Sequence, residues 1–334
     1  FLIILLFMII PEKLKQGDEI RVIAPARSLS LLSEENINSA IKNLETEGFK
    51  VTFSKNCKES DIFMSSSIQS RVDDLHEAFS DKNVKAILTV IGGFNSNQLL
   101  KYLDYELIKN NPKILCGYSD ITALANAITT KTGLITYSGP HFSTFALENG
   151  ADYNKEYFKK CLSQDKEFTV EASKTWFEDE WWIDQKITPK ENEGFFVINK
   201  GKVEGKIIGG NLCTFNLLHG TEFMPDLKDS ILFLEDCVED EDLFVLNFDR
   251  DLQSIIHLPG FEGVKAIVFG RFETKSKMTK EKLLKILETK KELKDLPILA
   301  GLDFGHTNIM MTFPIGGTCS LDLDDKVELK IIEH

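Results

Sequence analysis

From Glu19 to about Pro140 apolar strands alternate with amphipathic helices, and this alternation restricts the fold more than any other feature of the chain. The first strand is Ile20-Arg21-Val22-Ile23-Ala24-Pro25. A helix follows, because Ile37, Ala40, Ile41 and Leu44 form one stripe that Gly48 ends. Next come a strand with Phe49, Val51 and Phe53, and a helix carrying Ile68, Val72, Leu75 and Phe79. The third strand, Ala86-Ile87-Leu88-Thr89-Val90, ends at Gly92-Gly93, and a helix around Leu99, Leu100 and Leu103 leads to the strand Ile114-Leu115-Cys116. Short connections between such units imply a mostly parallel sheet covered by helices on both faces. Ligands of such sheets gather beyond the carboxyl ends of the strands, where Gly92-Gly93 and Ser119 fall.

Gly117-Tyr118-Ser119-Asp120 turns the fourth strand directly into a helix that begins at Asp120 and carries Ile121, Leu124, Ala125 and Ile128 on one face. A serine at that corner presents its hydroxyl beside the positive end of the helix, an arrangement suited to acyl transfer. The simpler alternative is a serine that only caps the helix. The hydrolase elbow Gly-x-Ser-x-Gly is not matched, since Ile121 stands at its last position. Gly92-Gly93 lets a carbonyl approach the backbone closely, adding a second amide to that of Asp120 in an oxyanion hole, unless it is simply a tight turn. Gly92-Gly93-Phe94-Asn95 is neither a dinucleotide fingerprint nor a phosphate loop.

A nucleophilic serine needs a base and a group that orients the base. Among His76, His141, His219, His257, His306 and His334, the best placed is His306, in Asp303-Phe304-Gly305-His306-Thr307 after the strand Ile298-Leu299-Ala300, where a flexible glycine can aim the ring. His141, after Ser138-Gly139-Pro140, is the runner-up. Glu235 and Asp236 follow the strand Ile231 to Leu234; alternation lets only one of them enter a cleft, and both are ordinary solvated charges otherwise.

The 334 residues carry 52 Asp and Glu against 39 Lys and Arg, a net charge of −13 that repels a phosphate backbone and excludes nucleic acid as an expected partner. The six cysteines form no Cys-x-x-Cys pair and read as reduced, buried small hydrophobes; no metal-ligand spacing occurs, so neither metal nor cofactor is expected. The apolar stretch from Phe1 to Ile10 is too short to span a membrane and lacks the marks of a signal peptide. The expectation is a native start at Met8, with the preceding residues an upstream extension, and a cytoplasmic protein with no membrane partner.

Residues 163–199 are acidic, contain Trp176, Trp181 and Trp182, and read as a connector covering a cleft between an N-terminal domain, 11–162, and a C-terminal domain, 200–334. In the latter, short strands such as 206–208, 231–234, 266–269 and 326–329, with one helix from about Lys280 to Lys291, suggest a small sheet or barrel rather than a continued parallel sheet.

Taken together, Ile91-Gly92-Gly93-Phe94-Asn95, Gly117-Tyr118-Ser119-Asp120, Gly209-Gly210-Asn211-Leu212, Leu234-Glu235-Asp236 and Phe304-Gly305-His306-Thr307 resemble, in order, the LD-carboxypeptidase family of serine peptidases. Within it the tryptophan-rich connector and the segment from Gly209 to Glu222 are most similar to the microcin C self-immunity branch. The resemblance implies an α/β fold, flavodoxin-like or glutamine-amidotransferase-like in its N-terminal half with a β-rich, barrel-like C-terminal half, and a cytoplasmic homodimer without metal. It also implies a triad of Ser119, Glu235 and His306, settling Glu235 over Asp236, and an oxyanion hole from Gly92 or Gly93 and Asp120. Its two substrate classes are murein tetrapeptides ending in D-alanine, whose free carboxylate calls for a cation, and peptidyl- or aminoacyl-nucleotides. For the second, Trp181 or Trp182 offers a platform for a base and Asn211 a polar contact. The acidic run Cys237-Val238-Glu239-Asp240-Glu241-Asp242 departs from the branch and would repel an anionic substrate. The rival from another class is a non-catalytic peptide- or nucleotide-binding module.

Overall fold

The computed structural model describes residues 8–324 and 326–334; the expectation concerning the segment before Met8 falls outside the described residues. The N-terminal elements are β1 (Glu19–Ile23), α1 (Glu34–Thr46), β2 (Lys50–Phe53), α2 (Ile68–Ser80), β3 (Val84–Thr89), α3 (Tyr105–Asn110), β4 (Ile114–Cys116), α4 (Ile121–Thr132), β5 (Thr136–Ser138) and α5 (Asp152–Leu162). The tryptophan-rich stretch gives β6 (Phe168–Val170), β7 (Thr175–Trp176), α6 (Trp181–Asp184), β8 (Lys190–Glu191) and β9 (Phe196–Asn199). Then follow β10 (Lys202–Asn211), α7 (Leu212–Asn216), β11 (Ser230–Glu235), α8 (Phe244–Ile256), β12 (Ala266–Gly270), α9 (Lys280–Glu288), β13 (Ile298–Leu302), β14 (Phe313–Ile315), β15 (Thr318–Asp322) and β16 (Glu328–Glu333).

Among the described residues the first sheet has the order β14-β5-β4-β3-β1-β2, and every pairing but that of β14 with β5 is parallel. Strands β3 and β4 are buried on both faces, which is why they read as continuous apolar runs rather than as alternation. The foreign strand β14 comes from the far end of the chain and carries Pro314, which the edge position tolerates.

The second sheet is β-rich, as expected, but its layout corrects the small sheet or barrel. Eight strands run in the order β6-β16-β15-β10-β11-β12-β13-β9, with two unjoined ends and a parallel core of β10, β11, β12 and β13. Here too βα units supply the parallel strands, through α8 and α9, so the C-terminal half repeats the logic of the N-terminal half and is edged by antiparallel strands. Residues 163–199 are likewise more than a connector, since β6 and β9 form the two ends of this sheet.

Helix α4 joins the two sheets. Its expected single apolar face is in fact burial on every side, including Thr122 and Asn126. A buried amide must be satisfied, and Asn126 is: its Nδ2 donates to the Gly209 carbonyl at 2.8 Å and its Oδ1 accepts from the Gly209 N–H at 3.2 Å. Thr122 Oγ1 accepts from the Asn211 N–H at 3.0 Å, fixing β10 against the helix that starts beside Ser119.

Candidate active site

The strand-to-helix corner places Ser119 at φ +60°, a left-handed conformation that an L side chain adopts only under constraint. Asp120 occupies the N-cap position and α4 proper starts at Ile121. Ser119 does not act as the cap: its Oγ lies 3.0 Å from His306 Nε2. Glu235, the last residue of β11, accepts from His306 Nδ1 through Oε2 at 2.7 Å. Three side chains from three parallel-strand ends, 71 and 187 positions apart along the chain, thus form one hydrogen-bonded row.

Gly305, at φ +112°, makes the row possible, because a Cβ there would stand 2.7 Å from Glu235 Oε2. Burial alone would lower the imidazole, but the Glu235 carboxylate bonded to it prevails and raises the His306 pKa above its ordinary value. Tyr118 sets its ring edge against His306, with centroids 5.4 Å apart, and lies over His141 at 4.3 Å. His141, the runner-up base, is buried with Nδ1 bonded to Thr89 Oγ1 at 2.7 Å, and burial depresses it to about 3, so it remains a neutral support under Tyr118.

Glu235 and Asp236 are both buried, which corrects the alternative of two solvated charges, and they turn to different partners, Glu235 to His306 and Asp236 to Asn211. Asp236 Oδ1 accepts from Asn211 Nδ2 at 3.2 Å and from the Cys237 N–H at 3.0 Å. Burial and the neighbouring Glu235 push its carboxyl up to about 7. Asn211, expected at the substrate, is 1% exposed and engaged locally, because its Oδ1 caps α7 by accepting from the Thr214 N–H at 3.1 Å. Trp181 is buried and donates from Nε1 to Asn308 Oδ1 at 3.0 Å, pinning the tryptophan stretch to the loop after His306, whereas Trp182 is half exposed.

Gly92 abuts the serine. A Cβ there would meet Ser119 Cβ at 2.9 Å and would lie 3.6 Å from the Asp120 amide nitrogen, so the glycine loop and the start of α4 face one another across Ser119. Gly93 packs on Ala26 and Arg27, and the Arg27 guanidinium lies over the exposed Phe94 ring at 4.9 Å.

The sequence reading misses what holds this loop. Asp120 Oδ2 accepts from the Asn95 and Ser96 N–H groups at 3.0 and 2.9 Å, tying the segment after Gly92-Gly93 to the serine corner. Buried Arg71 donates to Pro25 O, Asn95 O and Gln98 Oε1 from behind it. The available signal was Arg71 itself, a charged residue inside the apolar stripe of α2 between Ile68 and Leu75. Spacing also hides the grouping of Cys213, Asp236 and Cys237, whose ligand-type atoms lie within 4.8 Å of one another. These two thiols are half buried, unlike the four others, which are buried as expected.

A doubly sheeted α/β fold with this serine, histidine and glutamate row defines the class, and comparison with known families agrees. Residues 20–139 match the LD-carboxypeptidase N-terminal domain and residues 204–321 the LD-carboxypeptidase C-terminal domain; the chain belongs to the LD-carboxypeptidase family. Among its relatives, "Putative carboxypeptidase YocD" of Bacillus subtilis is 54% identical, over 93% of this chain and 95% of that one. The microcin C7 self-immunity protein MccF of Escherichia coli is 33% identical over 93% and 92% of the two chains. The Bacillus subtilis "Probable murein peptide carboxypeptidase" is 32% identical over 95% and 92%. Of solved structures, an MccF-like protein from Bacillus anthracis superposes with a TM-score of 0.96 at 52% identity, covering 98% and 100% of the chains. MccF in complex with glutamyl sulfamoyl guanosine gives 0.86 at 31%, covering 97% and 98%. Among the described residues no helix is long and apolar enough to cross a membrane.

Proposed function

We propose that the protein is a serine hydrolase that cleaves the amide of a peptidyl- or aminoacyl-nucleotide through an acyl-enzyme on Ser119. The observation that carries this reading is the row Ser119 Oγ, His306 Nε2, His306 Nδ1, Glu235 Oε2, with separations of 3.0 and 2.7 Å. Ser119 Oγ attacks the carbonyl carbon while His306 Nε2 takes its proton, and Glu235 stabilises the imidazolium that forms. The oxyanion is met by the Asp120 amide, backed by the dipole of α4, and by an amide of Gly92 or Gly93. The imidazolium gives its proton to the leaving nitrogen; water then hydrolyses the ester by the same proton path in reverse. Trp182, half exposed, is our candidate platform for the base.

Similarity to MccF, solved with aminoacyl sulfamoyl nucleosides, supports the substrate class. A second reading, release of a terminal D-amino acid from a murein peptide, is favoured by Arg27, a cation beside Gly93 suited to a free carboxylate. Incubating the protein with aspartyl sulfamoyl adenosine and with a murein tetrapeptide, and following product release from each, separates the two. Turnover of the tetrapeptide alone would refute the first. A fluorophosphonate adduct on Ser119, seen by mass spectrometry, excludes a mere binding module.

Gly92→Ala tests the oxyanion loop. Its methyl group cannot be accommodated 2.9 Å from Ser119 Cβ, so the two segments must separate. Misplacement of that size is expected to lower kcat by about 100-fold with a native circular dichroism spectrum. Unchanged kcat would remove Gly92 from the site.

A further inference from the structure

The acidic run after Glu235 and two of the six cysteines have no part in the chemistry above. We propose that Cys213, Asp236 and Cys237 form a binding site for a soft divalent cation of the zinc type. Asn211 and Glu235 stand opposite one another as the last residues of the parallel neighbours β10 and β11, and Cys213 at the start of α7 and Cys237 in the loop after β11 each follow within two residues. Their sulfurs and an Asp236 carboxylate oxygen all lie within 4.8 Å of one another. Zinc bound at about 2.3 Å to sulfur and about 2.1 Å to oxygen needs ligand atoms only slightly closer than this, within reach of side-chain rotation.

The donor set is selective. Two thiolates with one carboxylate favour a thiophilic metal over magnesium or calcium. The carboxylate is already oriented, because Asp236 Oδ1 accepts from Asn211 Nδ2 at 3.2 Å and from the Cys237 N–H at 3.0 Å, leaving Oδ2 for the metal. Glu239 Oε1, 3.4 Å from Cys237 Sγ, is the nearest candidate for a fourth position. Asp240, Glu241 and Asp242 follow it and raise the local concentration of cations. Binding converts two thiols to thiolates and releases two protons to solvent.

The metal would sit one residue from Glu235. Binding there does not rest on the triad reading.

The test uses the full-length protein, reduced and stripped with a chelator, then titrated with zinc and with cobalt. Expected are one equivalent of zinc retained through gel filtration and a thiolate-to-cobalt charge-transfer band in the near ultraviolet, both lost in C213S/C237S. Without metal the wild type and this variant should label equally fast with fluorophosphonate. The single variant C237S, altered at a half-buried loop position, serves if the double variant does not fold. Equal zinc retention with and without the cysteines, or no charge-transfer band, overturns the site, as does a reduced protein that binds no zinc while peroxide joins the two sulfurs. Absence of labelling in metal-free wild type would instead refute the triad and leave the binding result standing.

Discussion

Ser119→Ala is expected to lower hydrolysis by about 10⁴- to 10⁶-fold, the range seen when the nucleophile of a triad is removed. The fold should persist, because the backbone bond from the Thr122 N–H to the Ser119 carbonyl at 2.9 Å does not involve the hydroxyl. A second variant separates chemistry from strain. Ser119 holds φ +60°, which glycine adopts freely and alanine does not. Both variants lack the hydroxyl, so their difference reports the backbone: Ser119→Gly should be more stable than Ser119→Ala by roughly 0.5–1 kcal/mol, after allowing for the greater freedom of glycine in the unfolded chain. Both should be inactive and should fail to form a fluorophosphonate adduct. Substantial turnover by Ser119→Ala would remove the nucleophile, and equal stabilities would mean that the corner stores no strain.

Strain at this corner also explains why the site was legible where it was. β4 is buried on both faces and therefore apolar without a break, and a helix starts within a few residues of its end, so Gly117-Tyr118-Ser119-Asp120 can only be a tight turn. His306 was visible for a similar reason, since Gly305 follows a buried strand and marks a place where only glycine fits. The choice between Glu235 and Asp236 was not legible from alternation. Alternation predicts opposite faces but not that both are buried, with Glu235 bonded to His306 and Asp236 to Asn211 and the Cys237 N–H.

Long-range pairings were the other hidden layer. β6 and β9 have three and four residues and are recognisable only by their partners β16 and β13. β14 crosses into the first sheet, and no local pattern signals that. Helix α8 is absent from the expectations although Phe244, Phe248, Leu252 and Ile255 sit at helical spacing; its start is hidden by the acidic residues before it, of which Asp240 accepts from the Asp242 and Leu243 N–H groups. Missing α8 removed the βα unit between β11 and β12 and led to a small sheet or barrel in place of a parallel core.

Glu235→Gln is the second variant with a large expected effect, and its signature is a change in pH dependence as well as in rate. The base acts unprotonated, so kcat/KM rises with pH through the pKa of His306. In the wild type the Glu235 carboxylate favours imidazolium over burial and places that limb above the ordinary imidazole value of about 6.5. Glutamine keeps the shape but removes the charge. Burial then prevails and the limb moves to lower pH, while the plateau falls by about 10³- to 10⁴-fold because imidazolium loses its ionic partner and the ring its fixed tautomer. Asp236→Asn should change the rate by less than about tenfold, since Asp236 is bonded to Asn211 and Cys237 rather than to the imidazole. The two variants thus separate the adjacent carboxylates by kind of effect. A nearly normal Glu235→Gln enzyme beside an inactive Asp236→Asn enzyme would transfer the orienting role to Asp236, and a limb that stays in place after loss of the Glu235 charge would mean that another group sets the affinity of His306 for its proton.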